Sequence, residues 1–311
     1  MLPDGFVNCR HATLWLILLV LFVAGCGENL EMPGTGLTFN PPVSIRAYST
    51  SESAVALSWL PSPDAGGSTF LGYIVGFDGM EDSLQALSLT YLADSLSVGA
   101  KTFTVYSYRS DGPRSPGATI RWAPAARFDS PIVLTEFNQQ DPARQSGLDV
   151  GSQSTDPGSL PLDQIDSSVT NLMDLYLFGG SGQIEEPLAL WSASRFLGSL
   201  KQTRFSTVSH SATDLNLPLS AFPEIASFVR DTVILSNNTI YYAKILGDNA
   251  DTLYARVHVK ILSGSFFPNR AIEVRISLQR IPGVLYAIAP REILWKTDLR
   301  SILCTFTHSN S

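Results

Sequence analysis

From residue 41 onward, apolar and polar positions alternate in short runs set between clusters of Gly, Pro, Ser and Asp. A period of two places successive side chains on opposite faces of an extended chain, so each run predicts a β-strand. Val43 and Ile45 open one after Pro41-Pro42. Val55, Leu57 and Trp59 alternate with Ala56 and Ser58, and Tyr73, Val75 and Phe77 with Ile74 and Gly76. Phe103, Val105 and Ser107 alternate with Thr104, Tyr106 and Tyr108. Several strands packed into residues 41–125 leave no room for a long helix and predict a β-sandwich.

Trp122 to Ser130 reads as a separator, and residues 131–290 as a second antiparallel β-sandwich, followed by a C-terminal tail over 291–311. Gln145 to Asp166 is rich in Ser, Asp, Gly and Pro and predicts a long surface loop. Strands follow around Met173–Phe178 and Leu188–Trp191, and Pro223–Val229 predicts a short helix with proline in its first turn. The clearest pattern is a meander. Leu253, Ala255, Val257, Val259 and Ile261 alternate with Tyr254, Arg256, His258 and Lys260. Ile272, Val274, Ile276 and Leu278 alternate with Glu273, Arg275, Ser277 and Gln279. Each strand therefore predicts one apolar face toward a core and one polar face toward water. Gly247 to Asp251 supplies the turn between strands.

The first region resembles the fibronectin type III family. The resemblance rests on Pro41-Pro42, the strand Val55-Ala56-Leu57-Ser58-Trp59, the run Gly72-Tyr73-Ile74-Val75 and the late stretch Thr102 to Tyr108 before Asp111-Gly112. At the family's corner tyrosine this chain offers Phe103, which lacks the hydroxyl. The resemblance implies an all-β fold, with a fibronectin type III-like sandwich in front of the second sandwich, and a spacer or binding role. In the loop Arg109 to Ser115, Asp111-Gly112 reads as a tight turn. In the second region, the leading loop, an Asp-bearing strand and a Tyr242-Ala243-Lys244 meander are similar to haem-scavenging lipoproteins of the Bacteroidota. No haem-ligating histidine can be placed by that likeness.

Ahead of the strands, residues Ala12 to Ala24 form an uncharged apolar run of thirteen residues. As a helix it reaches only ~20 Å, short of the ~30 Å hydrocarbon core, so it fits a signal-peptide segment and not a membrane span. The run ends in Val23-Ala24-Gly25-Cys26, which resembles the bacterial lipobox. That resemblance implies a signal peptide over 1–25, acylation of Cys26 and a membrane held as partner through the lipid. Gly27 in the second mature position points to the outer membrane if the source is a diderm. Residues 26–40 then read as a lipidated, Gly-rich tether.

Composition narrows the function. Net charge is −7, unchanged by removal of Asp4 and Arg10 with the leader, and no Lys/Arg cluster is present, which argues against nucleic-acid binding. The cysteines are Cys9, Cys26 and Cys304. Lipidation of Cys26 leaves Cys304 alone, so no disulfide framework is expected. Four histidines occur, of which His11 lies in the leader and His308 in the tail. His258 is expected on a solvated strand face, or hydrogen-bonded there. His210, within Ser209-His210-Ser211 and four residues before Asp214, resembles a triad fragment without a nucleophile elbow. Asp248, Asn249 and Asp251 miss the spacing of a calcium loop. Glu185 and Glu186 are adjacent, so a strand would point them to opposite faces. No catalytic, cofactor or metal residues are assigned. The expectation is a non-enzymatic envelope protein for binding, adhesion or assembly. Alternatives are a carrier of haem or another small molecule, with His210 and His258 as candidates, and a polysaccharide-acting domain, with Trp122 and Trp191 as candidates.

Overall fold

The computed structural model describes residues 39–288, apart from 138–140, 142, 163–171, 182–183, 196–200, 247–250 and 265. Seven strands build the first half: β1 (Val43–Ser51), β2 (Ala54–Leu60), β3 (Phe70–Phe77), β4 (Met80–Gln85), β5 (Thr90–Ala93), β6 (Lys101–Arg109) and β7 (Ala118–Trp122). One sheet runs β1-β2-β5 and faces a second running β7-β6-β3-β4, every neighbouring pair antiparallel. The expected alternation holds, since Val55, Leu57, Trp59, Tyr73, Val75, Phe77, Phe103 and Val105 are all buried between these sheets. β4 and β5 carry no such clear alternation, whereas β7 does, with Ile120 and Trp122 buried and Thr119 and Arg121 exposed. Gly72 occupies a left-handed conformation against the backbone of Leu84, where a Cβ would collide with that carbonyl.

The second half contains β8 (Ala126–Thr135), β9 (Gln145–Asp149), β10 (Gly158–Pro161), β11 (Leu175–Ser181), β12 (Ile184–Ser192) and β13 (Gln202–Ser211). It continues through β14 (Phe228–Arg230), β15 (Thr232–Ile234), β16 (Thr239–Leu246), β17 (Thr252–Ile261), β18 (Ala271–Gln279) and β19 (Ala287–Ile288). A five-stranded sheet, β10-β9-β11-β12-β15, packs on a six-stranded sheet, β14-β13-β16-β17-β18-β8. Leu175, Leu177, Leu188, Leu190, Phe205, Ala243, Ile245, Val257, Val274 and Ile276 are among the side chains that fill the space between them. Each large side chain so enclosed contributes ~1.5–3 kcal/mol relative to leaving it in water.

Several expectations are corrected. Gln145 to Asp166 is not simply a loop: β9 and β10 form a hairpin within it and extend the five-stranded sheet. Within Trp122 to Ser130, Trp122, Ala123, Ala125 and Ala126 are buried and β8 begins at Ala126. The predicted helix at Pro223–Val229 is a single 3-10 turn, Ile225–Ser227, that runs into β14. The largest correction concerns the meander. The face of β17 and β18 expected to meet water is covered over most of its length: Tyr254, Arg256, His258, Ser277 and Gln279 are each at most 3 % exposed, while Lys260, Glu273 and Arg275 at its far end still reach water.

Two segments cover that face. Residues 212–222, between β13 and the 3-10 turn, lie across it as a strap. The strap exchanges two backbone hydrogen bonds with β1, Ala47 N–H to Leu219 O (2.8 Å) and Leu219 N–H to Ala47 O (2.9 Å). The second segment follows β18 and carries the chain back to the first half, where β19 pairs with β7 through Ala287 opposite Trp122. Tyr286, fully buried, stacks on Phe222 with ring centroids 4.8 Å apart and meets Trp122 edge-on at 6.0 Å. One continuous apolar cluster therefore joins the first-half core to Leu219, Phe222, Phe228, Tyr242, Tyr254 and Tyr286.

Candidate functional site

The densest group of buried ionisable side chains sits on the outer face of β16 and β17, beneath the strap. Antiparallel register sets Tyr242 opposite Arg256 and Ile240 opposite His258, while His210 of β13 stands opposite Ile240. Arg256 is 1 % exposed and donates from Nη2 to Leu217 O on the strap at 2.9 Å. Its Nε has no hydrogen-bond partner, and no carboxylate lies within ion-pair distance among the described residues. Burial pushes this guanidinium below its ordinary value, opposed by the neighbouring Tyr242 and Tyr286. Tyr242 is pushed up to about 12 by burial, with Arg256 pulling the other way.

Both candidate histidines belong to this cluster. His210 Nδ1 and the Tyr242 hydroxyl form a hydrogen bond of 2.8 Å, and Asp214 is not its partner, so no Ser-His-Asp arrangement forms there. Of the two settings expected for His258 the hydrogen-bonded one holds: the ring is fully buried and its Nε2 donates to Ala212 O on the strap at 2.9 Å. The other ring nitrogen, Nδ1, has no partner. Burial lowers the basicity of both rings. Arg256 adds to that effect at His210, and Arg275 does so at His258, where the bond to Ala212 works against it.

Two further buried acids were not singled out by sequence patterns. Asp174 is completely enclosed at the start of β11, and its Oδ2 accepts from Val150 N–H at 2.8 Å. Lys201 Nζ lies 3.2 Å from the other oxygen, an ion-pair contact without hydrogen-bond alignment at that atom. Burial nevertheless dominates, raising this carboxyl to about 7 with Asp149 assisting and Lys201 opposing. Glu136, 1 % exposed, accepts from Arg270 Nε at 2.8 Å, and Arg270 also reaches Glu185 Oε1 (3.0 Å), Glu186 O (2.9 Å) and Gly179 O. A Cβ at Gly179 would collide with both Glu136 and Arg270, so glycine is what admits the pair. The clue in sequence was slight: Asp174 interrupts the apolar string Leu172-Met173-Leu175.

The remaining candidates are structural or lie outside the described residues. Trp59 and Trp122 are core residues, the latter donating from Nε1 to Ser49 Oγ at 3.0 Å. Trp191 packs against Phe178, with centroids 4.2 Å apart, and carries the Arg195 guanidinium 4.1 Å above its ring. Arg109 pairs with Asp111 in the loop before β7, and Asp251 accepts from Gln153 Nε2. Where a corner tyrosine was sought at Phe103, Tyr73 instead accepts from Ser62 N–H at 3.1 Å. Cys26, Cys304, His11, His308, Asp248 and Asn249 lie outside the described residues. Among the described residues no set of three or more His, Cys, Asp or Glu side chains is gathered as metal ligands would be.

No family model matches the chain, and no curated protein does. Among solved structures the chain is similar to a two-domain fibronectin type III segment from chicken tenascin, at 12 % identity and a TM-score of 0.24. The match covers 76 % of this chain and 98 % of that one. The all-β assignment rests on the strands and their pairing described above.

Proposed function

We propose that this chain is a lipid-anchored cell-envelope protein whose β-sandwich body serves binding, adhesion or assembly without catalysis. The observation that carries the reading is how the buried polar groups are used. His210 is engaged by Tyr242, His258 by Ala212, Asp174 by Val150 and Lys201, and Glu136 by Arg270. Each bond ties one strand or loop to another, so these groups hold the body rigid. The order β1-β2-β5 against β7-β6-β3-β4 supports a fibronectin type III-like first domain, a fold used for spacing and display. The anchor rests on Val23-Ala24-Gly25-Cys26 directly after the apolar run.

Mass spectrometry of the membrane fraction tests the anchor. Expected is a chain beginning at Cys26 with acyl chains, and a Cys26→Ser variant released into the soluble fraction. Equal unacylated masses for the two would overturn it. Haemin titration separates the carrier reading: a Soret shift lost on substitution of His210 or His258 would favour a carrier over a display protein.

A further inference from the structure

Residues 212–222 are held over the outer face of the six-stranded sheet largely through carbonyl oxygens, and two of those bonds come from side chains carrying nitrogen in a dry environment. Ala212 O accepts from His258 Nε2, and Leu217 O accepts from Arg256 Nη2. The same strap is bonded to β1 through Leu219 and stacks on Tyr286 through Phe222. Whatever loosens the strap therefore loosens the link between the two halves. We propose that the strap is an acid-sensitive latch: protonation of His258, with His210 assisting, releases residues 212–222 from the outer face of β16 and β17.

Geometry sets the direction. With Nε2 donating to Ala212 O, the neutral ring keeps its lone pair on Nδ1. Nδ1 is buried without a partner. A proton there would create a cation and a donor with no acceptor within reach, and buried charges without partners are strongly disfavoured.

The surrounding charges are divided: Arg275 works with burial to lower the basicity of His258, while Asp214 and Glu273 work against it. On its own strand His258 stands between Arg256 and Lys260. Across on β18 it faces Arg275, with Glu273 beyond, and the Arg275 Nε donates to Asp129 O on β8. Arg127 of β8 reaches the strap at Asn216 Oδ1 (2.7 Å) and also pairs with Asp129. Tyr242 on β16, Tyr286 on the returning segment and His210 on β13 complete the surroundings. The strap itself brings one acid, Asp214, whose carboxylate is occupied by Asn216 N–H and Nδ2 at 2.7 and 2.8 Å. Cations thus outnumber carboxylates at this face before either histidine is charged.

Both rings are less basic in the folded protein than in the unfolded chain, so the unfolded or opened form takes up protons first as pH falls. Strap closure is complete above the ordinary histidine value of ~6.5 and is lost as pH drops through the lower folded-state values.

Hydrogen exchange on the full chain, corrected for intrinsic rates and followed peptide by peptide at about pH 7.5 and about pH 5, tests the latch. Expected is a loss of protection in residues 212–222 of at least about tenfold at the acid end, with β11 and β12 unchanged. The substitution His258→Gln keeps a donor for Ala212 O and cannot titrate, so it should hold the strap closed at both values, and His210→Gln should reduce the acid response by a smaller factor. Equal strap protection at the two values in the unsubstituted protein would overturn the proposal. So would loss spread evenly through both sheets, or a His258→Gln protein that keeps the full response. If His258→Gln does not fold, the comparison of strap with β11 and β12 in the unsubstituted protein decides alone.

Discussion

On one face of the six-stranded sheet, Ala243, Ile245, Ala255, Val257, Val274 and Ile276 close against the five-stranded sheet. On the other, Tyr242, Tyr254, Arg256, His258, Ser277 and Gln279 close against the strap and the returning segment. Both sets of side chains are dry, yet they are stable for different reasons. The apolar face asks only for shape and area, since hydrocarbon removed from water needs no matched partner. The polar face needs a hydrogen bond for every atom it buries, and Arg256 Nε and His258 Nδ1 show where the matching fails. The first face is a permanent core, and the second is conditional on one short segment and on proton concentration.

That contrast can be broken from either side. Phe205→Ala, on the apolar face, should lower the free energy of unfolding by ~3–5 kcal/mol in urea melts, because a packed core relaxes only in part around a lost ring. Asp174→Asn probes the counter-case of a buried acid. The folded protein keeps that proton to about pH 7, whereas the unfolded chain releases it near ~4. Asp174 therefore lowers stability as pH rises through that window, opposite in sign to the histidines. Denaturant midpoints of Asp174→Asn should fall less with rising pH over that range than those of the unsubstituted protein, and unchanged slopes would count against the assignment.

Arg256→Met removes a buried cation that has only one carbonyl partner. Its midpoint should stay level or rise, by up to ~2 kcal/mol, as replacing buried charge by well-packed apolar volume often does. A large drop would mean that Leu217 O depends on the guanidinium more than the charge costs. Tyr286→Phe should have the smallest effect. It deletes a hydroxyl that donates to Ser277 O while leaving the ring stacked on Phe222, a loss of ~0.5–1.5 kcal/mol readable in thermal melts.

Much of this architecture was legible in the alternation. Val55-Leu57-Trp59, Tyr73-Val75-Phe77 and Leu253 through Val259 lie in strands whose apolar faces are buried, because period two fixes the faces locally. β4 and β5 escaped because as exposed or half-exposed strands they have little apolar patterning, and β9 and β10 because Gly, Ser and Pro dominate them. Their pairing comes from neighbouring strands. The candidate site was visible only as residue types. Alternation identified Arg256 and His258 as the face opposite the apolar one, and water was the default occupant of that side. Nothing near them in sequence announced that residues 212–222, more than thirty positions earlier, would cover them.

By itself, then, the sequence determined the local choices: strands over helices, which side of each strand is apolar, and an apolar run that ends just before Cys26. Tertiary structure alone decided what lies against the polar side. A strand's faces follow from backbone geometry, whereas covering a face requires two distant segments to meet, here the strap at Leu219 with β1 and Tyr286 with Trp122. Burial then changed the chemistry of unchanged residues, turning ordinary surface types into unmatched donors and weakened bases.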